Sequence, residues 1–118
     1  MTPVLGVAQI ALTVTDLARA KAFYADLLGL SPLFDAGKMS FLDAGGVRIM
    51  LSAQGGKPGD RGTLVYLKVA DVRAAHGALS AKGVHFEQPP HVIGRAADRE
   101  VWLAWCSDPD GNLIGLMS

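Results

Sequence analysis

Apolar and polar residues alternate from Val7 to Val14, with Ile10, Leu12 and Val14 on one side and Gln9, Ala11 and Thr13 on the other. This period of two predicts a half-buried first strand. The period then changes. Leu17, Ala20, Phe23, Tyr24, Leu27 and Leu28 recur at helical spacing behind Asp16, an N-cap candidate, and Gly29 ends the run. Three short strands are expected next, near Leu33, from Ser40 to Asp43 and from Val47 to Ser52, with Gly45-Gly46 turning before the last of them. The stretch from Gln54 to Gly62 is a loop by composition. Alternation resumes from Thr63 to Val69, and Asp71 caps a second helix that runs through Leu79 and stops at Lys82-Gly83. Strands then follow near Val84 to Phe86, at Val92-Ile93, from Val101 to Trp105 and from Leu113 to Met117.

The order repeats. Val14-Thr15-Asp16-Leu17 aligns with Val69-Ala70-Asp71-Val72, and Ala20 with Ala75, so each half reads β-α-β-β-β. Two copies are too few for a stacked solenoid and would instead pair their sheets around one cleft with helices outside. The expected fold class is therefore α+β, a single domain of two βαβββ modules at about residues 1–53 and 63–118 whose mostly antiparallel sheet curves around a central cleft.

Composition narrows the function classes. Lys plus Arg and Asp plus Glu each number 11 in 118 residues, and neither sign forms a run, so nucleic acid and membrane surfaces are poor partners. Met1-Thr2-Pro3-Val4 opens no signal peptide and no apolar run reaches membrane-spanning length, which points to the cytoplasm. The single cysteine, Cys106, has no internal disulfide partner and no evident base. Lys57 in its Gly-rich stretch is followed by neither Ser nor Thr, and a strand rather than a helix comes next, so a module linker explains it better than a phosphate cradle.

Three features together resemble the glyoxalase/bleomycin-resistance/dioxygenase superfamily, also called vicinal oxygen chelate proteins, over essentially the whole chain. They are the opening strand and helix with Phe23-Tyr24 and Leu28-Gly29-Leu30, the turn Asp108-Pro109-Asp110-Gly111-Asn112 before a final strand, and the duplication itself. The resemblance implies paired modules curling into an open, U-shaped barrel. It also implies four metal-ligand positions, one on the first and one on the last strand of each module, usually His, Glu or Gln. Those positions fall here on Gln9, Leu64, Met50 and Gly115, and Gln9 alone can ligate. A catalytic metal needs about three N, O or S ligands, so no metal and no other cofactor is expected. A symmetric partner would bring the same four positions again.

Alternation lists what the cleft face offers instead. With Ile10, Leu12, Ile49, Leu51, Val65, Leu67, Ile114 and Leu116 under the helices, the cleft would carry Gln9, Ala11, Thr13, Arg48, Met50, Ser52, Leu64, Tyr66, Lys68, Leu113, Gly115 and Met117. Such a mostly apolar surface with a few polar groups suits small organic ligands. Gly115 leaves space, and the methionines offer soft contacts to aromatic rings. Trp102 and Trp105 differ by three positions on one strand, so alternation aims only one of them inward. Fully burying a tryptophan, roughly 150 to 250 Å², contributes up to about 4 to 6 kcal/mol, so a cleft tryptophan would dominate affinity. His76 falls on a helix and His85 beside a strand start, whereas His91, after Pro89-Pro90, is the titratable candidate at the cleft rim.

The candidate ligand-binding set is thus Gln9, Thr13, Arg48, Met50, Tyr66, His91, Trp102, Trp105 and Gly115. The expected function, as the bleomycin-resistance branch of the resemblance implies, is a metal-independent homodimer that sequesters a small, largely apolar or aromatic molecule. The competing reading is a metal-dependent lyase, epimerase or extradiol-type dioxygenase drawing ligands from residues such as His91 and Glu100. A third is metal-free catalysis in which Tyr66, Arg48 or His91 polarises a carbonyl.

Overall fold

The computed structural model describes residues 5–59 and 61–118; Met1 to Val4, read above for targeting, and Asp60, within the expected loop, lie outside the described residues. Among the described residues, eight strands and two α-helices form an α+β chain of two βαβββ modules. The chain divides into two compact units, one ending at Lys57 and one running from Pro58 to Ser118.

The first module holds β1 (Gln9–Thr13), α1 (Leu17–Lys21), β2 (Ser31–Ala36), β3 (Met39–Ala44) and β4 (Val47–Ser52). Its sheet runs β1-β4-β3-β2, with β1 parallel to β4 and the other pairs antiparallel. Asp16 is the N-cap the pattern predicts, its Oδ1 accepting from Arg19 N at 3.1 Å. The helix widens into a π-helical turn over Ala22–Leu27, which carries Phe23 and Tyr24 edge to face into the core. Lys21 Nζ then reaches Asp35 Oδ2 at 2.9 Å, and Ser40 Oγ donates to Asp35 Oδ1 at 2.7 Å, tying α1 to β2 and β3. The ammonium, with the hydroxyl beside it, holds the Asp35 carboxyl below the usual carboxylate range.

The second module repeats this plan with β5 (Val65–Lys68), α2 (Val72–Ala81), β6 (His85–Ala96), β7 (Arg99–Ser107) and β8 (Leu113–Met117), in sheet order β5-β8-β7-β6 with β5 parallel to β8. Asp71 Oδ1 caps α2 by accepting from Arg73 N at 2.9 Å and Ala74 N at 3.3 Å. At the other end, Val84 N–H returns to the Leu79 carbonyl at 3.0 Å around Gly83, whose φ of +91° suits a residue without Cβ.

One element differs from the expectation. The strands anticipated at Val84 to Phe86 and at Val92-Ile93 merge into one twelve-residue strand, β6, which begins at His85, and the stretch from Gly94 to Glu100 is the tip of the β6–β7 hairpin. The Pro89-Pro90 pair reads as a break because proline cannot donate to a ladder. On β6, the edge strand, that donor is dispensable, and register shifts between Phe86 and Gln88 and between Gln88 and His91 absorb the prolines.

Each core lies between sheet and helix. Leu12, Leu42, Ile49 and Leu51 are buried in the first module, and Val65, Ala104, Cys106, Ile114 and Leu116 in the second. The helices α1 and α2 pack on β3 and β4 and on β6 and β7 respectively. In the second module the turn after β7 is fastened by polar side chains that are themselves buried. Asp108 Oδ1 accepts from the N–H groups of Asp110 and Asn112 at 2.9 and 2.8 Å, Oδ2 accepts from Asn112 Nδ2 at 2.8 Å, and Asn112 Oδ1 accepts from Gly59 N at 3.2 Å.

Gly59 allows that last bond, because it has φ of +71° and a Cβ there would lie 2.3 Å from the Asp110 carbonyl oxygen. Gly59→Ala is expected to cost about 2 to 4 kcal/mol in urea denaturation, more than an exposed glycine replacement would. A cost below about 0.5 kcal/mol would show that this approach does not hold the turn.

Candidate functional site

A sheet with one helix has one covered face and one bare face, and alternation assigns each strand residue to one of them. On the bare face of the second module the ladder register lines up two rows. Tyr66, Gly115, Trp105 and Gln88 form one, and Lys68, Met117, Leu103 and His91 form the next. Val101 and Arg99 extend the same side of β7.

Gly115 organises the first row. A Cβ on it would lie 3.0 Å from both Tyr66 Cδ2 and Trp105 Cζ3, so the two rings occupy the room that the glycine leaves. They meet edge to face with centroids 5.0 Å apart, and Tyr66 is still 50% exposed. Beside them lies an open hollow of about 350 Å³, lined by Tyr66, Leu67, Val101 and Met117 with Lys68, Arg99 and Ser118. Its wall is chiefly apolar carbon with two cationic groups.

The two tryptophans face opposite ways. Trp105 stands with Tyr66 on the bare face, whereas Trp102 lies on the helix side, where the Arg73 guanidinium of α2 sits 4.5 Å from its ring centroid.

On the bare face of the first module the corresponding row is Ala11, Met50, Phe41 and Phe34. Phe34 and Phe41 stack with centroids 4.4 Å apart and planes at 20°, and Arg48 Cζ lies 5.8 and 5.3 Å from the two ring centroids. Arg48 Nε donates to Gln9 Oε1 at 3.1 Å, and Gln9 Nε2 lies 3.6 Å from Met50 Sδ. Thr13, in the row with Ser52 and Met39, lies under the linker, where a Cβ on Gly56 would sit 3.4 Å from its methyl. Sequence patterning brings Gln9, Arg48 and Met50 to one spot, but it misses the phenylalanine pair. Phe41 lies between Ser40 and Leu42, where alternation alone does not assign it a partner, and only the ladder register shows that it stacks on Phe34.

The donor chemistry at the four ligand positions does not fit a catalytic metal. The Gln9 carbonyl oxygen already accepts from a guanidinium, Met50 is a thioether, Leu64 is aliphatic, and Gly115 lies beneath two rings. Among the described residues, no three His, Cys, Asp or Glu side chains are grouped as a metal ion requires. His91 Nδ1 is 2.9 Å from the Pro89 carbonyl, which can only accept, so Nδ1 carries the proton and Nε2 is the free ring nitrogen. Glu100 belongs to the opposite face of β7 from the His91 row and pairs with Arg95 at 3.8 Å. His76 packs edge to face on Phe86, and His85 pairs with Ser107 at the far end of β6. Cys106 is buried on the helix side, and burial pushes its thiol up to about 11.

A family model described as the Glyoxalase/Bleomycin resistance protein/Dioxygenase superfamily matches residues 6–116. No curated protein matches the chain. Among solved structures, a member of the same superfamily from Sphaerobacter thermophilus is 26% identical with a TM-score of 0.77, covering 97% of both chains. TnmS3, an antibiotic binding protein from a Streptomyces species, is 26% identical with a TM-score of 0.78, covering 98% of this chain and 97% of its own. An integron cassette protein from Vibrio cholerae, 22% identical with a TM-score of 0.77 over 99% of this chain and 97% of its own, shares the fold.

Two outcomes follow from this geometry. At pH 8 Cys106 is expected to resist a thiol reagent such as dithionitrobenzoate in the native protein and to react fully in denaturant, because native burial leaves little thiolate. Gly115→Ala is expected to displace the rings above it, altering the near-ultraviolet circular dichroism and costing about 1 to 3 kcal/mol in urea. An unchanged spectrum would mean that the rings do not rest on the glycine.

Proposed function

The chain belongs to the glyoxalase/bleomycin resistance protein/dioxygenase superfamily, and on that premise we propose a metal-independent protein that binds a small, largely apolar or aromatic molecule. One observation carries the reading. At a position where the resemblance implies a metal ligand, the chain has Gly115, and the Tyr66 and Trp105 rings fill the space over it. Exchanging a Lewis-acid ligand for an aromatic surface removes what would polarise a substrate and supplies what would hold a ring. The half-exposed Tyr66, the apolar hollow beside it and the stacked Phe34 and Phe41 under Arg48 support the same reading. Similarity to an antibiotic binding protein at 26% identity agrees with it.

In this reading Tyr66, Trp105 and Met117, with His91 in the row beside them, offer a ligand surface on the second module, and Gln9, Thr13, Arg48 and Met50 offer polar and soft groups on the first. The protein would act stoichiometrically, as a cytoplasmic homodimer. Light scattering tests the dimer: a strictly monomeric protein would remove that part of the reading.

Tryptophan fluorescence tests the binding. A panel of polycyclic aromatic ligands is expected to quench emission saturably, with Trp105→Ala weakening binding by at least about thirtyfold, about 2 kcal/mol, and Trp102→Phe leaving it within about threefold. Mass spectrometry of protein purified without a histidine tag is expected to find well under one metal ion per chain, with no saturable uptake of manganese, nickel, zinc or iron(II). Near-stoichiometric metal at a saturable site would overturn the reading in favour of a metal-dependent lyase, epimerase or dioxygenase.

A further inference from the structure

We infer that the molecule held in the second module's hollow is an acid, a planar aromatic carboxylate whose ring rests on Val101 and Met117 and whose charge meets Lys68 and Arg99. This rests on the binding reading above and adds the chemical class of the ligand.

The hollow is asymmetric in charge. Lys68 and Arg99 both line it, and among the described residues no aspartate or glutamate does. The chain as a whole carries equal numbers of basic and acidic side chains, so the excess is a matter of placement. The carboxylate that follows Arg99 on β7 is engaged elsewhere: Glu100 pairs with Arg95 from the opposite face of the strand. Neither Lys68 nor Arg99 has a carboxylate partner among the described residues. Even a carboxylate at Ser118, which also lines the hollow, would leave one cation in excess.

The register explains how the cations serve one ligand. Lys68 is level with Met117 across the β5–β8 ladder, and Arg99 lies two residues before Val101 on β7, so both stand on the same face as the apolar floor between them. Tyr66 and Trp105 bound that floor in the adjacent row. A flat ring laid there directs a substituent toward the rim. A carboxylate would accept from the guanidinium fork and the ammonium, a neutral group would gain little, and a cation would be repelled. Because the rim is open to water, the preference is modest and sensitive to salt.

Isothermal titration calorimetry of the full chain with 2-naphthoate and with 2-naphthamide tests this, since the two share ring and shape and differ in charge. Naphthoate is expected to bind about fivefold or more tighter at about 0.01 M ionic strength, and the advantage should fall toward unity at about 1 M. Lys68→Gln with Arg99→Gln, two exposed positions, should abolish the advantage at low salt while leaving naphthamide within about twofold. Equal binding of the two compounds by the unaltered protein would overturn the acid preference and leave the aromatic-binding reading intact. Binding of neither compound would remove both. An advantage that survives the double substitution would overturn the assignment of these two residues.

Discussion

Each module has four strands and one helix, and a helix can cover only one face of a sheet. That asymmetry governs the rest of the structure. The parallel pairing of first and last strands, β1 with β4 and β5 with β8, requires a crossover, and the helix supplies it while roofing one side. Residues of one parity become core. Those of the other parity are left on a surface that packing within the module does not fill, which is where a chain can carry chemistry without endangering its fold.

Much of this is legible in the sequence, because the signals are local. Asp16 and Asp71 announce their helices with a side chain that can satisfy orphan amides, and both do so. The alternation in β1, β4, β5 and β8 separates Leu12, Leu51, Val65 and Leu116 from their outward neighbours, and the two modules follow from repeating that order. What stays hidden depends on pairing between distant strands. The prolines of β6 look like a break until the strand is known to lie on an edge. The tryptophans cannot be assigned until β8 fixes the register of Trp105 against Gly115 and α2 brings Arg73 over Trp102. Arg99, beyond the expected end of its strand, and Phe34, beside a register shift, leave no local mark of their place on the bare face.

The two bare faces use the same frame for different contents. By register, Met50 corresponds to Gly115, Phe41 to Trp105 and Ala11 to Tyr66. In the first module a large residue occupies the inner position, and an arginine and a glutamine close around it. In the second the inner position is empty of side chain, and flanking rings lean in. Duplication thus preserved the ladder while the residues on it diverged, as expected where backbone pairing is under one constraint and the exposed side chains under another.

The buried Asp108–Asn112 turn also bears on where the modules can be cut and rejoined. Gly59 and Arg61, which precede β5, bond to Asn112, Gly111 and Glu87, all in the second unit, so the connecting segment is the property of the half that follows it. A recombination point after Gly62 would remove the Gly59 amide that donates to Asn112 Oδ1, whereas one before Pro58 would carry the whole fastening along. Shuffling of such halves, in evolution or by design, is therefore polar: the linker travels with its downstream module as a built-in adaptor.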